Sequence, residues 1–480
     1  MPTISEPSPP RPGMEGVLLT VKGRVLSTLE SDGSRRWLYP RLAKGRFLAA
    51  RRIVAYALIV IFVLIPHLKI HGKPAIFLDV IHRQFTLLGL TFLPTDMFLL
   101  ALFMVSLILG VFFFTALFGR VWCGWACPQT VYLEFLFRPI ERLCSGRRGQ
   151  GGKPATAAPI WLSAIKYVFY LAAALFLAHT FLAYFVGVDQ LRIWISGSPV
   201  DHPAAFFVMA ATTGLMLFDF GFFREQMCMI ACPYGRFQSA LLDRDSLIIS
   251  YDRPRGEPRG KSASGAGDCI DCTMCVQVCP TGIDIRDGLQ FECVGCAQCI
   301  DACDQVMAKL RRPPGLIRYS SQAAMDGGKR RVVRPRIAIY ITILAGFASL
   351  LAFLISTKSP FDVTVLRNLG RPFFTTDDGR IANEFRVKIT NRADHADAFL
   401  ISVPNHPDLR VKALDQVIQI APGRMLMEPV EIDAPQAAFA DGAMDVTIRV
   451  QRGDRRFVEQ SCRLLGPYSA AEPGDAHAPN

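Results

Sequence analysis

The sequence predicts a multi-domain membrane protein: a five-helix transmembrane bundle, an inserted two-cluster ferredoxin-like domain and a C-terminal all-β sandwich of immunoglobulin type. Three observations predict this fold class. Five apolar segments are long enough to cross a bilayer, eight cysteines lie in two short runs, and beyond about residue 360 apolar residues alternate with polar ones. With 51% hydrophobic residues in 480, the chain is too apolar for a soluble ferredoxin with an appendage.

Each apolar segment approaches the roughly 20 residues that a helix needs to cross the hydrocarbon layer. The segments cover residues of about 51–69, 97–118, 160–186, 204–223 and 337–356. Any one of them alone could be a buried core helix. Together with the charges of the connecting loops, they predict five membrane-spanning helices.

Basic residues predict the orientation of these helices. They concentrate before the first segment, between the second and third, and before the fifth, whereas residues 70–96 and 187–203 carry few. Because basic loops favour the cytoplasmic side, we expect residues 119–159 and 224–336 in the cytoplasm and the C-terminal part on the outer side of the membrane. The net charge of +12 is then mainly an orientation signal, and we expect no nucleic-acid partner.

Two cysteine runs share the spacing C-x2-C-x2-C-x3-C, which is that of a bacterial ferredoxin with two [4Fe-4S] clusters. Three thiolates of one run can wrap a cubane, and the last cysteine of each run ligates the other cluster. The predicted ligand sets are Cys269, Cys272, Cys275 and Cys303 for the first cluster, and Cys293, Cys296, Cys299 and Cys279 for the second. A disulfide framework or paired zinc sites fit this spacing poorly.

A second set of cysteines follows the second and fourth segments. Cys123 and Cys127 form one C-x3-C-P motif, and Cys228 and Cys232 form another, so the chain carries a duplication of two spans followed by this motif. Because each motif ends a helix that runs in the same direction, the four thiols could lie side by side. They would suit Cu(I), with Met227 and Met229 as added thioether ligands, or a further iron–sulfur centre. The alternative is that they are small packing residues.

The domain order follows from these features. We expect a basic cytoplasmic tail, four transmembrane helices with both C-x3-C-P motifs, a cytoplasmic ferredoxin domain, a fifth helix and a sandwich on the outer side of the membrane. The predicted bounds are 1–50, 51–248, 249–320, 337–356 and 360–470. The sandwich is predicted from alternating runs such as Phe385, Val387 and Ile389, and we expect it to have an interaction or scaffolding role.

Four segments carry a family resemblance. They are Gly119–Thr130 around the first C-x3-C-P motif, Phe85–Pro94, Cys299–Asp304 at the end of the second cysteine run, and Gly315–Tyr319. The sequence resembles the CcoG family of cytochrome c oxidase accessory proteins, to which FixG and RdxA belong. The resemblance runs from about Trp37 through the sandwich.

The resemblance implies a polyferredoxin of the inner membrane that reduces Cu(II) to Cu(I) for assembly of a cbb3-type cytochrome oxidase. It places copper handling on Cys123, Cys127, Cys228 and Cys232, and it implies oxidase biogenesis factors, copper transporters or chaperones, and an electron donor as partners. We therefore expect an oxidoreductase of the cupric reductase type, with two [4Fe-4S] clusters and copper. The alternatives are a quinol-linked electron conduit to a periplasmic reductase and a copper assembly chaperone without a redox role.

Overall fold

The computed structural model divides into two compact units. The first holds residues 1–69, 74–88 and 92–351, and the second holds residues 352–480 with the short segments 70–73 and 89–91. The described residues are 26–29, 34–70, 73–80, 84–87, 90–92, 96–145, 159–260, 267–357, 359–368, 370–393, 395–413, 417–439, 442–453 and 456–467. Most of the predicted N-terminal tail lies outside these residues.

Within the described residues, five helices are long and apolar enough to span a membrane, as predicted: Arg46–His67, Met97–Phe118, Ile160–Val186, Pro203–Phe223 and Pro335–Ser356. The third is the most enclosed, with 39% of its apolar window buried against 6% for the second. Most of the apolar surface of these helices therefore faces outward, which is the arrangement that a lipid environment stabilises.

The α-helices are α1 Arg46–Leu64, α2 Met97–Phe118, α3 Val121–Trp125, α4 Pro128–Tyr132, α5 Arg138–Ser145, α6 Ile160–Val186, α7 Val188–Ser196, α8 Pro203–Phe218, α9 Pro233–Leu241, α10 Arg253–Gly256, α11 Met274–Gln277, α12 Gln298–Lys309, α13 Gln322–Met325 and α14 Pro335–Ser356. The strands before residue 350 are β1 Lys69–Ile70, β2 Lys73–Pro74, β3 Ile76–Asp79, β4 Gln84–Leu87, β5 Leu90–Phe92, β6 Ile248–Tyr251 and β7 Ile317–Ser320. Turns of π-helix follow α4, α8 and the loop after α8, over Leu133–Phe137, Asp219–Phe223 and Met227–Ala231.

The ferredoxin-like domain is a small αβ unit in which β6 and β7 pair antiparallel, with Ile248 opposite Ser320. Helix α12 packs on these strands through Ile300 and Met307, and the two short helices α11 and α12 each follow the middle cysteine of a run. Cysteines from both runs belong to the same buried cluster as the strand residues Ile249 and Ile317. The cysteine loops are therefore fixed by the core of the domain.

A carboxylate of the ferredoxin-like domain holds the start of the first spanning helix. Asp301 in α12 accepts hydrogen bonds from the backbone N–H groups of Phe47 at 3.2 Å and Leu48 at 2.7 Å. These are first-turn donors that have no partner within the helix, and the negative charge also favours a helix N-terminus. This contact explains why α1 begins at Arg46, before the apolar segment that the sequence predicts from residue 51.

The second unit contains the predicted all-β sandwich. Its strands are β8 Phe361–Arg367, β9 Phe374–Thr375, β10 Ile381–Asn391, β11 Asp397–Ser402, β12 Arg410–Ala413, β13 Ile418–Ile420, β14 Met425–Ala434, β15 Ala443–Arg452 and β16 Phe457–Leu465. One sheet has the order β12-β14-β10-β8, with β9 on β10, and the other has the order β13-β11-β15-β16. The alternating residues Phe385, Val387 and Ile389 are buried in its core, as the period-two pattern predicts.

The first prediction concerns the contact between Asp301 and α1. Replacing Asp301 with Ala leaves two N–H groups without an acceptor, which costs about 1–3 kcal/mol. We expect a lower midpoint of thermal unfolding for the purified protein in detergent, and an intermediate change for Asp301→Asn, which keeps one of the two acceptor oxygens. An alanine variant as stable as the wild type would show that Asp301 does not hold the helix.

Candidate iron–sulfur and thiolate sites

One cavity of the ferredoxin-like domain is walled by cysteines from both runs. Its empty volume is about 360 Å³. Its lining includes Cys269, Cys272, Cys275 and Cys303, together with Leu316, Ile317 and Arg286. The structure thus brings the last cysteine of the second run to the first three cysteines of the first run.

A second cavity, with an empty volume of about 320 Å³, lies beside the first. Its lining includes Cys279, Cys293, Cys296 and Cys299, and also Cys275 and Thr281. Here the last cysteine of the first run joins the first three of the second run. Because Cys275 lines both cavities, only a thin wall separates them.

The backbone of both cysteine loops takes the same unusual conformation around the middle cysteine. Asp271 and Thr273, which flank Cys272, have φ of 55° and 55°, while Gly295 and Ala297, which flank Cys296, have 68° and 61°. Positive φ is unfavourable for residues other than glycine, so the fold must maintain it at three of these positions. Such a backbone turns N–H groups inward and forms a concave site for an anion.

The cavity thiols are chemically suited to an iron–sulfur cluster. Burial raises the pKa of Cys275 to about 12 and that of Cys296 to about 11, so the thiols favour the protonated state until a metal cation is present. Burial also raises the pKa of Cys279, and hydrogen bonds from the Thr281 side chain and from the backbone of Thr281 and Ile283 oppose the increase. Donors to sulfur of this kind support bound clusters.

The two C-x3-C-P motifs lie beyond the ends of the spanning helices. The prediction that each motif ends its helix is wrong, because each spanning helix ends before its motif begins. At the break Gly119 has φ 58° and ψ −126°, and Arg224, at the matched position of the second copy, has φ 54° and ψ −121°. The first cysteine of each motif lies on a separate short helical turn, and the second follows that turn in extended backbone. The matched backbone angles support an internal duplication.

Arg224 adopts a conformation that favours glycine, and buried ion pairs hold it there. Its guanidinium donates two hydrogen bonds to Glu141, at 3.2 and 3.1 Å. The neighbouring Glu225 accepts from Arg138 at 3.2 Å, and Arg138 also pairs with Glu134. Since these groups are largely buried, removing one partner would leave a costly unpaired charge.

Reciprocal contacts place the two motif copies against each other. Gln129, two residues after Cys127, donates to Asp219 at the end of the fourth span, at 3.0 Å. At the matched position of the second copy, the Tyr234 hydroxyl lies 2.7 Å from that of Thr115, at the end of the second span. Each copy therefore contacts the span of the other, as expected for two repeated units that pack as a pair.

The four motif thiols are neighbours. Burial raises the pKa of Cys228, and the nearby thiols of Cys127, Cys123 and Cys232 raise it further. Burial likewise raises the pKa of Cys123 to about 12, with added contributions from Cys127 and Cys232. The four thiols therefore interact with one another electrostatically. Among the described residues, no three His, Cys, Asp or Glu side chains lie close enough to hold one metal ion.

The first motif packs directly on the second cysteine cavity. Arg120 donates to the carbonyl oxygen of Cys293 at 3.1 Å, and Arg51 donates to the carbonyl oxygen of Gly124 at 2.8 Å. At Gly124 a Cβ atom would lie only 2.6 Å from the Val294 carbonyl oxygen and 2.8 Å from the Cys296 backbone. The structure adds Arg120 and Gly124 to the predicted site residues. Their positions in the sequence, beside and within the first motif, are the signal that points to them.

The sulfur of Met229, one of the two predicted thioether ligands, accepts a hydrogen bond from the Thr28 hydroxyl at 3.6 Å.

Trp125 belongs to the first motif and donates to the Tyr319 hydroxyl at 3.0 Å, and Tyr319 in turn donates to the Gly295 carbonyl oxygen at 2.6 Å. These aromatic residues form a second connection between the motif and the ferredoxin-like domain.

Three family models match the chain. Residues 223–322 match a 4Fe-4S dicluster domain, residues 100–149 match a 4Fe-4S binding domain, and residues 351–467 match the IG-like fold at the C-terminus of FixG. The first of these ranges includes all eight cysteines of the two runs. The chain is therefore an iron–sulfur protein by sequence family as well as by the donors that it buries.

Curated relatives match most of the chain. Protein RdxA of Cereibacter sphaeroides is 34% identical, over 87% of this chain and 90% of the relative. Nitrogen fixation protein FixG of Rhizobium meliloti is 30% identical, over 85% of this chain and 88% of the relative. Among solved structures, the crystal structure of a FixG-related protein from Vibrio parahaemolyticus matches at 17% identity and a TM-score of 0.21, over 23% of this chain and 98% of that one.

The second prediction tests the close approach at Gly124. Replacing Gly124 with Ala forces the first motif away from the Cys296 loop and should destabilise the protein by about 1–3 kcal/mol. We expect a lower midpoint of thermal unfolding and a weaker retention of iron during purification. Gly110→Ala is the matched control, because nothing lies within 4 Å of the position of its Cβ. Equal stability of the two variants would contradict the packing argument.

Proposed function

Because the chain belongs to the FixG/RdxA family of membrane iron–sulfur proteins, we propose that it transfers single electrons to Cu(II) and supplies Cu(I) for assembly of a cbb3-type cytochrome c oxidase. The observation that carries the proposal is the direct packing of the first C-x3-C-P motif on the second cysteine cavity. That contact joins a predicted one-electron centre to a set of soft thiol ligands, and cupric reduction needs both.

The proposed cluster ligands follow the crossed pattern. One set is Cys269, Cys272, Cys275 and Cys303, and the other is Cys293, Cys296, Cys299 and Cys279. The grouping of these residues around two cavities supports the assignment. Bound clusters would supply single electrons at low cost in reorganisation, and the buried walls of both cavities keep water away from the thiolates.

We assign copper handling to the thiols of Cys123, Cys127, Cys228 and Cys232. Their mutual proximity supports this assignment, because Cu(I) is bound well by thiolates and poorly by oxygen ligands. The same donors also suit a further iron–sulfur centre, and electrons can reach copper at this place with either occupant. In both cases Cu(II) is the substrate, and it takes one electron to become Cu(I).

The proposed location is the bacterial inner membrane, with the ferredoxin-like domain in the cytoplasm and the sandwich in the periplasm. The basic residues near the ends of the first, second and fifth spans support this orientation. The proposed partners are oxidase biogenesis factors, copper transporters or chaperones, and an electron donor. The sandwich favours this function over a quinol-linked conduit, whose members we do not expect to carry such a domain.

The third prediction separates the crossed ligand pattern from an uncrossed one. Cys279→Ser should weaken the cluster held by Cys293, Cys296 and Cys299, whereas Cys303→Ser should weaken the cluster held by the first run. Electron paramagnetic resonance of the reduced protein distinguishes the two signals. Loss of the first-run cluster in the Cys279 variant would show that each run binds its own cluster.

The fourth prediction tests the copper-handling thiols. Replacing Cys228 and Cys232 together with Ser should abolish reduction of Cu(II) by pre-reduced protein, because hydroxyls are poor ligands for Cu(I). The resonance signals of both ferredoxin clusters should remain, since neither residue belongs to a run. Cys462→Ser is the control, because Cys462 lies on β16 in the sandwich. Reduction of Cu(II) at the wild-type rate in the double variant would contradict the assignment of copper handling to these thiols and favour the quinol-linked alternative.

A further inference from the structure

The four C-x3-C-P thiols are mutual neighbours, and none of them lines the two ferredoxin cavities. Each of the six pairs that can be drawn among Cys123, Cys127, Cys228 and Cys232 interacts electrostatically. Two of the thiols come from each copy of the duplicated unit, and the reciprocal contacts of Gln129 and Tyr234 hold the copies together. A set of four thiols from two related halves therefore lies next to the second cavity.

The motif thiols share one property with the ferredoxin cysteines. Within the described part of the chain, neither the four motif thiols nor the eight run cysteines form a group that could hold a single metal ion. A cubane keeps its four thiolates farther apart than one ion does, because each thiolate binds a different iron. Four neighbouring thiols that form no such group are therefore compatible with a cluster, to which each thiol would bind through a different iron.

Two buried residues beside Cys123 have donor atoms without an acceptor among the described residues. Arg120 is 7% exposed, and its Nε and Nη2 atoms have no hydrogen-bond partner there. Gln238 is 1% exposed and accepts from the Cys123 thiol through Oε1 at 3.3 Å, while its Nε2 atom has no partner. Buried polar atoms are rarely left unpaired, so these donors indicate an anionic group at Cys123.

Arg120 also lies between the two sites. Its Nη1 atom donates to the Cys293 carbonyl oxygen, and its charge interacts with the thiols of both Cys293 and Cys123. A [4Fe-4S] cluster with four thiolate ligands is an anion, and a buried guanidinium stabilises it through charge and through N–H···S contacts. If Gln238 rotates its amide, Nε2 can donate to the same sulfur once Cys123 has lost its proton.

The match to a 4Fe-4S binding domain over residues 100–149 adds an independent observation. That range contains Cys123, Cys127 and Cys144 but none of the eight run cysteines. Cys144 is buried on α5, whereas Cys123 and Cys127 both interact with the Cys232 thiol of the second copy. The iron–sulfur character of this segment therefore falls on its C-x3-C-P motif.

We infer that Cys123, Cys127, Cys228 and Cys232 together ligate a third [4Fe-4S] cluster, stabilised by Arg120 and Gln238 and adjacent to the second ferredoxin cluster. The four thiols lose their protons when they become ligands. The inference rests on the proposed function, because it names the resident cofactor of the site at which Cu(II) takes its electron. Copper is then a substrate of this site, which it reaches as Cu(II) and leaves as Cu(I).

The test measures iron and acid-labile sulfide per chain in the full-length protein after anaerobic reconstitution in detergent. We expect about twelve of each in the wild type, since each cubane contains four irons and four sulfides. Replacing Cys228 and Cys232 together with Ala, which has no donor atom, should lower both to about eight. Cys144→Ser is the matched control and should stay at about twelve.

A wild type with about eight irons, or a double variant that still holds about twelve, overturns the inference. The wild-type count is decisive even if the double variant fails to fold. Reduction of added Cu(II) is measured on the same samples, so that the two proposals fail separately. About eight irons with active copper reduction removes the third cluster and keeps the proposed function, whereas about twelve irons without copper reduction does the opposite.

Discussion

The close backbone contact between the first C-x3-C-P motif and the loop of the second cysteine run is the feature on which the site depends. A Cβ atom at Gly124 would collide with the Val294 carbonyl oxygen and the Cys296 backbone, so only glycine allows this approach. The contact places Arg120 against Cys293 and near Cys123. As a result, the buried guanidinium of Arg120 interacts with a thiol of the motif and with a thiol of the ferredoxin-like domain.

Most of the architecture could be predicted from the sequence, because its signals are local. Apolar length identified the five spanning helices to within a few residues, and period-two alternation identified the sandwich strands around Val387. The spacing of the eight cysteines predicts two crossed ligand sets, since short loops leave few ways to surround a cubane. These features depend on residues that are near one another in the chain.

The remaining features depend on contacts between distant segments, which a single sequence does not reveal. Asp301 holds the start of α1 across more than two hundred residues, and Glu141 holds Arg224 in a conformation that favours glycine. The matched breaks at Gly119 and Arg224 were missed for another reason. Glycine often ends a helix, so Gly119 carries a signal, but arginine gives no sign of a positive φ, and the break at Arg224 cannot be predicted from its residue type.

The most direct test of the electron route is a single-turnover mixing experiment. Pre-reduced protein is mixed with Cu(II) while cluster absorbance and a Cu(I)-specific chelator are followed together. If electrons cross the Gly124 contact, cluster oxidation and Cu(I) formation should proceed at one common rate, and Gly124→Ala should slow both by the same factor while Gly110→Ala leaves them unchanged. Cu(I) formation that continues at the wild-type rate in the Gly124 variant, or without cluster oxidation, would contradict this route.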